Sequence, residues 1–383
     1  HLLREIDRKR FIPLVVTSLD KGSVQSLFRP QDILCWYRPT LDYADRDRWM
    51  RYCPVKRGPL RRIWAYLFAS AAVVANLPRL ARMLLKVATV RPSIIHVNNG
   101  KEGLLAARLL RIPLVWHLHG VSPDIRRISN AAATFISISK HISTQAVRHG
   151  VAAERILDIP NPAPVCAHAP VRRSEWTSRY DLPMQAVVLA HVGRLVRWKG
   201  QLEFLEAFAR IADEHPSAVA LIVGDDVEGY NTEYPRTLRQ FVHDRRLNGR
   251  VVFTGHVTNI LELMSFSDIV VHSSIEPEPF GLVITEAMSA GAAVVAARLG
   301  APIEIVEHGV TGLLVDPTDP TEFAQALGSL VSNKEWRMQL ARAGQRVARE
   351  KYSPQSWAKQ IAAAYESVAA GAVASRAAGR VAR

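Results

Sequence analysis

Two segments of the sequence carry charged side chains at points where an apolar run gives way to a helical pattern. The first segment, residues 191–200, holds Arg194 and Lys199 just before a helical periodicity begins. Arg can contact a phosphate through two parallel N–H donors, whereas Lys supplies a compact positive charge. This pattern is typical of phosphate binding, and the alternative for this loop by itself is a solvated basic loop. For Arg197, in the same segment, we favour that alternative.

The second segment, residues 278–288, predicts a loop that leads into a helix. Phe280 and Gly281 close the loop, and the apolar pattern that follows ends at another glycine. The first N–H groups of a helix have no partner inside that helix. Those of Gly281, Leu282 and Val283 therefore form a ready site for an anion such as a diphosphate.

Two glutamates flank the start of this predicted helix. Glu286 lies one turn into it, where a carboxylate could accept two hydrogen bonds from a ribose diol. Glu278 precedes it and could hydrogen-bond a sugar hydroxyl, or lie near an anomeric carbon that develops oxocarbenium-like charge. The alternative is that both are surface charges of an ordinary helix. Their place between a strand end and an apolar helix favours the binding function.

A pair of histidines lies at the end of another apolar run, residues 113–118. Successive side chains of a strand point to opposite faces, so His117 and His119 are predicted on one side, with His119 nearer the carboxyl end. A histidine there could contact a sugar or its phosphate, and the alternative is a satisfied structural histidine. We take His119, with Glu278, as a candidate catalytic residue and His117 as structural.

The elements that must position these residues alternate along the chain. Segments with helical periodicity separate short apolar runs typical of buried strands, which are residues 12–17, 93–97, 113–118, 133–137, 186–192, 218–223, 251–254, 268–272 and 293–297. Such alternation predicts parallel sheets with helices on both faces. The fold class is therefore α/β, with two doubly wound, Rossmann-like domains. Their facing strand ends would form a cleft that binds ligands.

Composition places the boundary between the two domains. A proline-rich stretch at residues 160–164, followed by polar residues, predicts a stiff linker over residues 161–182. We therefore predict a first domain over residues 1–160 and a second domain, which holds the two charged segments, over residues 183–350. A helix over residues 351–370 is predicted to pack back towards the first domain. Residues 371–383 are predicted to fray.

The positive charge is concentrated in one half of the chain. Residues 1–160 hold 26 Lys or Arg and 11 Asp or Glu, a net charge of +15, whereas residues 161–383 hold 23 and 24, a net charge of −1. A basic half predicts an anionic partner, either a nucleic acid or an acidic membrane surface. No arginine-rich helix, zinc spacing or aromatic–basic RNA motif accompanies it, so we expect no nucleic-acid partner. Arginine enrichment from genomic composition is the alternative, but it does not explain the asymmetry.

Residues 64–77 form the most apolar stretch, and arginines flank it on both sides. At 14 residues it is shorter than the roughly 20 that span a bilayer. A buried helix, a helix lying on a membrane surface and a spanning helix all stay open. The flanking arginines and Trp64 are typical of the second of these. We predict a cytoplasmic protein that is peripheral on the inner face of the membrane.

The cysteines indicate a reducing compartment. Cys35, Cys53 and Cys166 are scattered and odd in number, with neither the spacing of a metal site nor that of a disulfide framework. We expect no cofactor and no bound metal.

The order of several motifs along the chain resembles the retaining glycosyltransferases of family 4, which have the two-domain GT-B fold. Residues 137–161 also look like this family's last N-terminal segment and hinge, so the resemblance covers nearly the whole chain. The motifs are Gly193-Arg194-Leu195 with Lys199-Gly200, Val223-Gly224-Asp225, Glu278-x7-Glu286, and Gly291 followed by Glu304-Ile305-Val306 and Gly309-x-x-Gly312. Val-Gly-Asp alone would be weak, but the joint occurrence in this order is specific.

The resemblance implies that the donor is a nucleotide-diphosphate sugar. Arg194 and Lys199 would bind its diphosphate beside the backbone of residues 280–282. Family members transfer with retention of configuration and without an obligatory metal. The charge on the departing diphosphate would instead be neutralised by these two side chains and a helix dipole.

The remaining candidate residues receive roles from the same resemblance. Glu286 would hold the ribose and Glu278 the donor sugar. The backbone near Val257 would meet the base, and His119 would approach the sugar from the opposite domain.

The start of the chain departs from the family. Family members begin with a buried strand and a glycine-rich loop before the first helix, whereas residues 1–6 already look like that helix and lead to a strand over residues 11–17. The first strand and its loop are therefore predicted to be missing, as in a fragment or a protein that lacks part of its cleft. An absent central strand would leave an unfilled slot in the sheet.

The leading hypothesis is a hexosyltransferase that uses a nucleotide-sugar donor and a lipid-linked or membrane-associated glycan acceptor. A soluble small-molecule acceptor is the alternative within this class. A nucleotide-sugar-binding protein with little or no turnover is a second class. A sugar-nucleotide epimerase is a third, which Glu278-x7-Glu286 disfavours because that spacing is the transferase pattern.

Overall fold

The computed structural model describes residues 2–17, 29–36, 58–98, 102–121, 125, 134–164, 172–226 and 233–381. The chain forms two compact units. The first unit comprises His1–Ile138, Ile142–Ile159 and Ala358–Arg383, and the second comprises Ser139–His141 and Pro160–Trp357. The chain therefore passes into the second unit at Pro160 and returns to the first within its last helix.

The first unit carries two parallel sheets. Its described helices and strands are α1 (Leu2–Glu5), β1 (Val15–Thr17), β2 (Ile33–Trp36), α2 (Pro59–Val90), β3 (Ile95–Val97), α3 (Glu102–Leu110), β4 (Leu114–Leu118), β5 (Thr134–Ser137), α4 (Lys140–Arg148) and β6 (Ile156–Asp158). β1 pairs with β2, and the other strands follow the order β3-β4-β5-β6. Within the described ranges no strand joins β1 to β3. The strand predicted over residues 12–17 is limited to Val15–Thr17, and β2 and β6 are too short for the sequence pattern to reveal.

Helix α2 is far longer than the apolar stretch that predicted it. It runs for 32 residues, starts with Pro59 at its first turn and includes Pro78. The helix therefore extends beyond the 14-residue apolar stretch at both ends. The helix continues beyond Pro78 because its C-terminal half packs on the first unit through Leu80, Met83 and Val87, which are buried.

The same helix meets the size criterion for a membrane span. The most apolar 18-residue window of Arg62–Val90 has a mean hydropathy of 1.3, and 13% of that window is buried within the protein. One such helix is weak evidence by itself, because core helices and signal sequences satisfy the same criterion. The structure shows only that a spanning helix is possible by length and composition.

The second unit is a doubly wound parallel sheet. Its described elements are α5 (Arg173–Arg179), β7 (Val187–Val192), α6 (Gln201–Ile211), β8 (Ala218–Val223), α7 (Glu233–Asp244), β9 (Val251–Gly255), α8 (Ile260–Phe266), β10 (Ile269–His272), α9 (Leu282–Ala290), β11 (Ala293–Ala297), α10 (Pro302–Ile305), β12 (Leu313–Val315), α11 (Pro320–Ser332), α12 (Lys334–Lys351) and α13 (Pro354–Val381), which continues in the first unit. The strand order is β12-β11-β10-β7-β8-β9, and all neighbours are parallel.

Both faces of this sheet are covered, as the continuous apolar runs predict. Along β8, Ala218, Ala220 and Ile222 pack into one core cluster. The alternate residues of the same strand pack into a second cluster on the opposite face. All six residues of β8 are buried, so the strand has no polar face.

Two segment predictions are wrong. The linker predicted over residues 161–182 contains α5, whose Trp176 is buried against Phe266 in the core of the second unit. The tail predicted to fray from residue 371 is instead helical as far as Val381. Trp176 has a partner that lies about ninety residues away in sequence, and the alanine-rich tail has a high intrinsic helix propensity.

Candidate functional site

The strand order of the second unit reverses between β7 and β10. From β7 the chain continues outwards through β8 and β9, and it then returns to build β10, β11 and β12 on the other side. In a doubly wound sheet, ligands bind in the crevice beyond the carboxyl ends of the strands at this reversal. The two loops at that position are residues 193–200 and 273–281, which are the segments that the sequence singles out.

Glycines allow the first loop to pass close to the sheet. Gly200 has a φ of 71° and precedes α6, and a Cβ there would overlap the main-chain carbonyl of Ser273. Gly224 has a φ of 133°, and a Cβ there would overlap the carbonyl of Gly193. Gly193 itself does not have a positive φ. The left-handed conformation in this loop therefore falls on Gly200, which adopts it without strain.

The second loop ends in a helix start that no side chain caps. Gly281 adopts the left-handed conformation with a φ of 100°, and Leu282 opens α9. The helix ends at Gly291, which is also left-handed, as the sequence predicts. The first N–H groups of α9 are therefore available to an anion at the reversal point of the sheet.

Buried hydrogen bonds hold the two loops together. The hydroxyl of Ser273 donates to the carbonyl of Gly200 at 2.7 Å and accepts from Nε2 of His191, 2.9 Å away. The N–H of Ile275 donates to the carbonyl of Trp198 at 2.9 Å. Burial lowers the pKa of His191 to about 3, so this imidazole is neutral and acts as a fixed donor.

Glu278 lies at the centre of a polar cluster where the loops meet. Its Oε2 accepts from Nζ of Lys199 at 2.7 Å, from the hydroxyl of Ser274 at 3.0 Å and from Nε2 of His272 at 3.3 Å. Burial alone would raise the pKa of Glu278, but the hydrogen bond from His272 and the charge of Lys199 outweigh it and lower the pKa to about 2. Glu278 is therefore an anion at any physiological pH and cannot serve as a proton donor.

Lys199 is held with its ammonium between the Glu278 carboxylate and the Trp198 ring. Its ammonium lies 4.1 Å from the centroid of the Trp198 ring, and its side chain is only 16% exposed. A diphosphate at the start of α9 would offer this ammonium a second, more highly charged partner. The sequence predicts Lys199 at the phosphate and Glu278 at the sugar, and the structure places the two side chains in direct contact.

The other predicted donor-binding residues lie in different environments. Glu286 is half-buried on α9, and burial raises its pKa. Phe280 is buried and packs edge-on against Tyr352. Val257 is buried in the core, so only its backbone can meet a ligand. Arg194 is exposed, and its carbonyl accepts from Gln201 at 2.7 Å.

Arg197 has a structural partner. Its guanidinium forms an ion pair with Glu203 on α6, with 2.8 Å between Nη1 and Oε2. The interpretation of Arg197 as a merely solvated charge is therefore wrong. The pair fixes the loop to the helix that follows it.

His119 belongs to the first unit and lies just beyond β4. Its ring stacks on that of His117, with 4.6 Å between the centroids, so the two side chains lie on one side of the strand as alternation predicts. His117 is buried, whereas His119 is exposed. The predicted approach of His119 to the donor sugar stays a prediction.

Sequence comparison assigns the chain to a family. A family profile described as Glycosyl transferases group 1 matches residues 172–347. A second profile, described as Glycosyltransferase Family 4, matches residues 33–165. The crystal structure of HepE from Anabaena in complex with UDP is similar at 31% identity and a TM-score of 0.70, covering 76% of this chain and 82% of that one.

The chain belongs to the family 4 glycosyltransferases. Its architecture is accordingly GT-B, with two Rossmann-like units. The motif order in the sequence therefore identifies the family and the fold correctly.

Two curated relatives each match about half of the length of this chain. The D-inositol 3-phosphate glycosyltransferase of Corynebacterium urealyticum is 34% identical over 191 residues, 49% of this chain and 44% of that protein. The N-acetyl-alpha-D-glucosaminyl L-malate synthase of Bacillus anthracis is 31% identical over 195 residues, which are 51% of this chain and 48% of that protein. In these matches the chain spans about half the length of the relatives.

Three residues of the polar cluster were missed by the sequence reasoning. His272 and Ser274 both contact Glu278, and Trp198 lies beneath the Lys199 ammonium. A signal for the first two is present, because a histidine ends the strand at the reversal point and two serines follow it directly. Trp198 gives no comparable signal, since a tryptophan in a loop is compatible with many environments.

A metal site was not predicted, and metal independence stays a prediction for this glycosyltransferase. Among the described residues no three His, Cys, Asp or Glu side chains lie close enough to hold an ion. The one Asp-x-Asp pattern in the sequence, at Asp45 and Asp47, falls outside the described part of the chain.

The depressed pKa of Glu278 predicts a pH-dependent contribution to stability. A carboxylate whose pKa is lower in the folded state stabilises above its unfolded pKa, near 4.5, and this stability is lost as the pH falls towards 2. We expect the wild type to lose about 1 kcal/mol more unfolding free energy than Glu278→Gln between about pH 7 and pH 4. Urea unfolding followed by circular dichroism measures the unfolding free energy of both proteins at each pH. Parallel losses in the two proteins would show that Glu278 is not preferentially ionised in the folded state.

Proposed function

We propose that this protein transfers a hexose from a nucleotide-diphosphate sugar to an acceptor, with retention of configuration. The observation that carries the proposal is the Lys199–Glu278 pair at the uncapped start of α9, at the reversal point of the sheet. A cation and a helix start could bind the phosphates, and an ionised carboxylate lies next to them. These groups match the two charges that develop when a sugar leaves a diphosphate.

The geometry suggests how the charges are exchanged. Lys199 neutralises Glu278 in this structure. When the diphosphate binds, Lys199 and Arg194 turn to its oxygens together with the first N–H groups of α9. Glu278 is then released from its cation and can interact with the donor sugar and with positive charge at the anomeric carbon. His272 and Ser274 continue to hold its carboxylate in place.

A uridine nucleotide is the first candidate donor. HepE, which is similar to this chain, was crystallised with UDP, with UDP and glucose, and with UDP-glucose. Glu286 would hold the ribose and the backbone near Val257 the base. We propose that neither a cofactor nor a metal ion is required, so transfer measured with EDTA should equal transfer measured with Mg²⁺.

Donor binding predicts a selective thermal shift. At a ligand concentration about 100 times its Kd, a specific nucleotide sugar should stabilise the second unit by about 2.7 kcal/mol. A screen of nucleoside diphosphates and their sugars by thermal denaturation should single out one base. Glu286→Ala should weaken that shift because it removes the ribose acceptor, whereas Glu276→Ala, an exposed neighbour, should not. Absence of a shift with every nucleotide would contradict the proposed function.

We propose further that the acceptor is a glycan linked to or associated with a membrane, reached from the cytoplasmic face. Helix α2 supports this through an exposed apolar stripe, defined here as Leu60, Ile63, Leu67, Val74 and Leu85. These positions recur with helical spacing, and Leu67 and Leu85 lie about five turns apart on one face. The buried Leu80, Met83 and Val87 lie on the opposite face.

Charge favours an anionic lipid surface for this stripe. Helix α2 contains five Lys or Arg residues and no Asp or Glu. The first 160 residues carry a net charge of +15. An apolar face with cationic flanks is the composition of helices that lie in the headgroup region. The alternative acceptors are small and soluble, as the names of the relatives that act on D-inositol 3-phosphate and L-malate suggest.

Vesicle sedimentation tests the membrane proposal. We expect binding to phosphatidylcholine vesicles that contain phosphatidylglycerol, weakened by salt and weaker still without the anionic lipid. The double variant Leu67→Glu, Val74→Glu should bind at least about tenfold less, since two leucine-sized side chains contribute more than about 1.4 kcal/mol on burial.

Leu109→Glu, an equally exposed apolar residue on α3, is the matched control and should bind like the wild type. Vesicle binding that is unaffected by the α2 variant would contradict the assignment. If the variant instead dissociates an oligomer in ultracentrifugation, the stripe is an interface between copies and the acceptor proposal loses its support.

A further inference from the structure

Four aromatic side chains of the first unit form a connected row that ends at His119. Nδ1 of His96, on β3, lies 2.5 Å from the hydroxyl of Tyr365 on α13. Nε2 of the same ring lies 3.2 Å from Nδ1 of His117. The ring of His117 then stacks on His119, 17° from parallel. Of these four residues, only His119 is a candidate catalytic residue.

The hydrogen bonds in this row depend on one another. Burial lowers the pKa of His96 to about 4, although a hydrogen bond with Asn98 opposes the shift. Burial also lowers the pKa of His117 to about 3, with smaller effects from His96 and His119, and it raises the pKa of Tyr365. Each imidazole is thus neutral and carries one proton on one nitrogen. If Tyr365 donates to Nδ1 of His96, the proton of His96 must lie on Nε2 and be donated to His117. Reversing either bond reverses the other.

The last helix anchors the far end of the row. The Tyr365 ring lies edge-on to His96, 5.6 Å between centroids, and 6.0 Å from the ring of Phe11. The adjacent Glu366 forms an ion pair with Arg10. Tyr365 is 269 residues from His96 in sequence, so the contact exists only because α13 returns to the first unit.

We infer that Tyr365, His96 and His117 are positioning residues that hold the His119 imidazole in a single orientation for glycosyl transfer. The inference rests on the proposed function. His119 is exposed just beyond a strand end, and the stack on His117 restricts its ring to one plane. His117 can restrict it only if its own ring is fixed, which its hydrogen bond with His96 accomplishes, because His96 is in turn held by Tyr365. Misorientation of a group that contacts the substrate affects turnover more than ground-state donor binding.

Tyr365→Phe tests this arrangement, because it removes the hydroxyl and keeps the ring packing. We expect kcat to fall about tenfold with the donor KM changed less than about twofold. His96→Gln, whose amide can accept from Tyr365 and donate to His117, should retain most of kcat, whereas His96→Leu should not. Tyr180→Phe, which removes a hydroxyl in the second unit, is the matched control. A wild-type kcat in Tyr365→Phe would overturn the inference, as would equal activity of the two His96 variants.

Histidine NMR supplies a readout that does not depend on turnover. In Tyr365→Phe, the ring ¹⁵N resonances of His96 should report a changed tautomer, and the ring resonances of His119 should shift as its orientation averages. The Tyr180→Phe spectrum should match the wild type. Unmoved His119 resonances would overturn the inference even in a protein that transfers sugar. If the wild type transfers no sugar but Tyr365→Phe still shifts the His119 resonances, the proposed function is overturned. In that case Tyr365 and His119 are coupled structurally, without a role in transfer.

Discussion

Glu278→Gln is expected to reduce kcat by about 10² to 10³ while the protein still binds its nucleotide-sugar donor. Gln has the same shape but no charge, so Ser274 and His272 can still contact it, whereas positive charge at the anomeric carbon loses its stabilising partner. Lys199 no longer has to leave a carboxylate in order to bind the diphosphate. The affinity for the nucleoside diphosphate alone should therefore stay the same or rise.

Initial-rate kinetics and calorimetric titration with the nucleoside diphosphate separate these two effects. Glu276→Gln removes an equal charge two residues earlier in the same loop and should leave kcat within about twofold. A loss of turnover in both variants would mean that the overall negative charge of the loop matters, and not the position of Glu278. Full turnover in Glu278→Gln would remove the central residue of the proposed mechanism.

Gly200→Ala is expected to destabilise the second unit by about 3 kcal/mol and to lower its Tm by roughly 6–12 °C. Two effects combine. Ala is strained at a φ of 71°, and its Cβ would overlap the main-chain carbonyl of Ser273, which cannot move without disturbing β10. Because Gly200 and Ser273 also join the two site loops, donor binding should weaken at temperatures where the variant is still folded.

Gly249→Ala is the matched control for backbone strain. Gly249 has a φ of 80°, similar to that of Gly200, but a Cβ there meets no atom within 4 Å. Gly249→Ala should lower the unfolding free energy by only about 1 kcal/mol, because it introduces the backbone strain but no steric overlap. Differential scanning calorimetry of the two variants measures the difference. Equal destabilisation would mean that the close approach at Gly200 contributes nothing.

The second unit could be predicted from sequence in considerable detail. The runs at residues 218–223 and 293–297 coincide with β8 and β11, because strands buried on both faces are continuously apolar. Gly291 predicts the end of α9, because only glycine adopts the left-handed conformation there without strain. Arg194, Lys199, Glu278 and Glu286 could be chosen because each lies in or near a loop between a strand end and a helix.

The first unit was harder to predict, because packing overrides local pattern there. Helix α2 passes through Pro78, which ordinarily ends a helix, and its C-terminal half is held by buried side chains. In the second unit, α5 lies in a stretch whose polar sequence predicts a linker, and one buried tryptophan fixes it. The short-range periodicity of the sequence carries no information about either of these long-range contacts.

The sequence by itself determined the family, the two-unit α/β organisation and the charged residues of the donor loops. These depend on local order: apolar runs, glycines and the spacing of glutamates along one chain. Tertiary structure alone decided which of those charges are paired. Lys199 meets Glu278 across 79 residues because β7 and β10 are neighbours in the sheet. His96 meets Tyr365 because α13 returns to the first unit. Such pairings follow from strand order and helix docking, which no local stretch of sequence specifies.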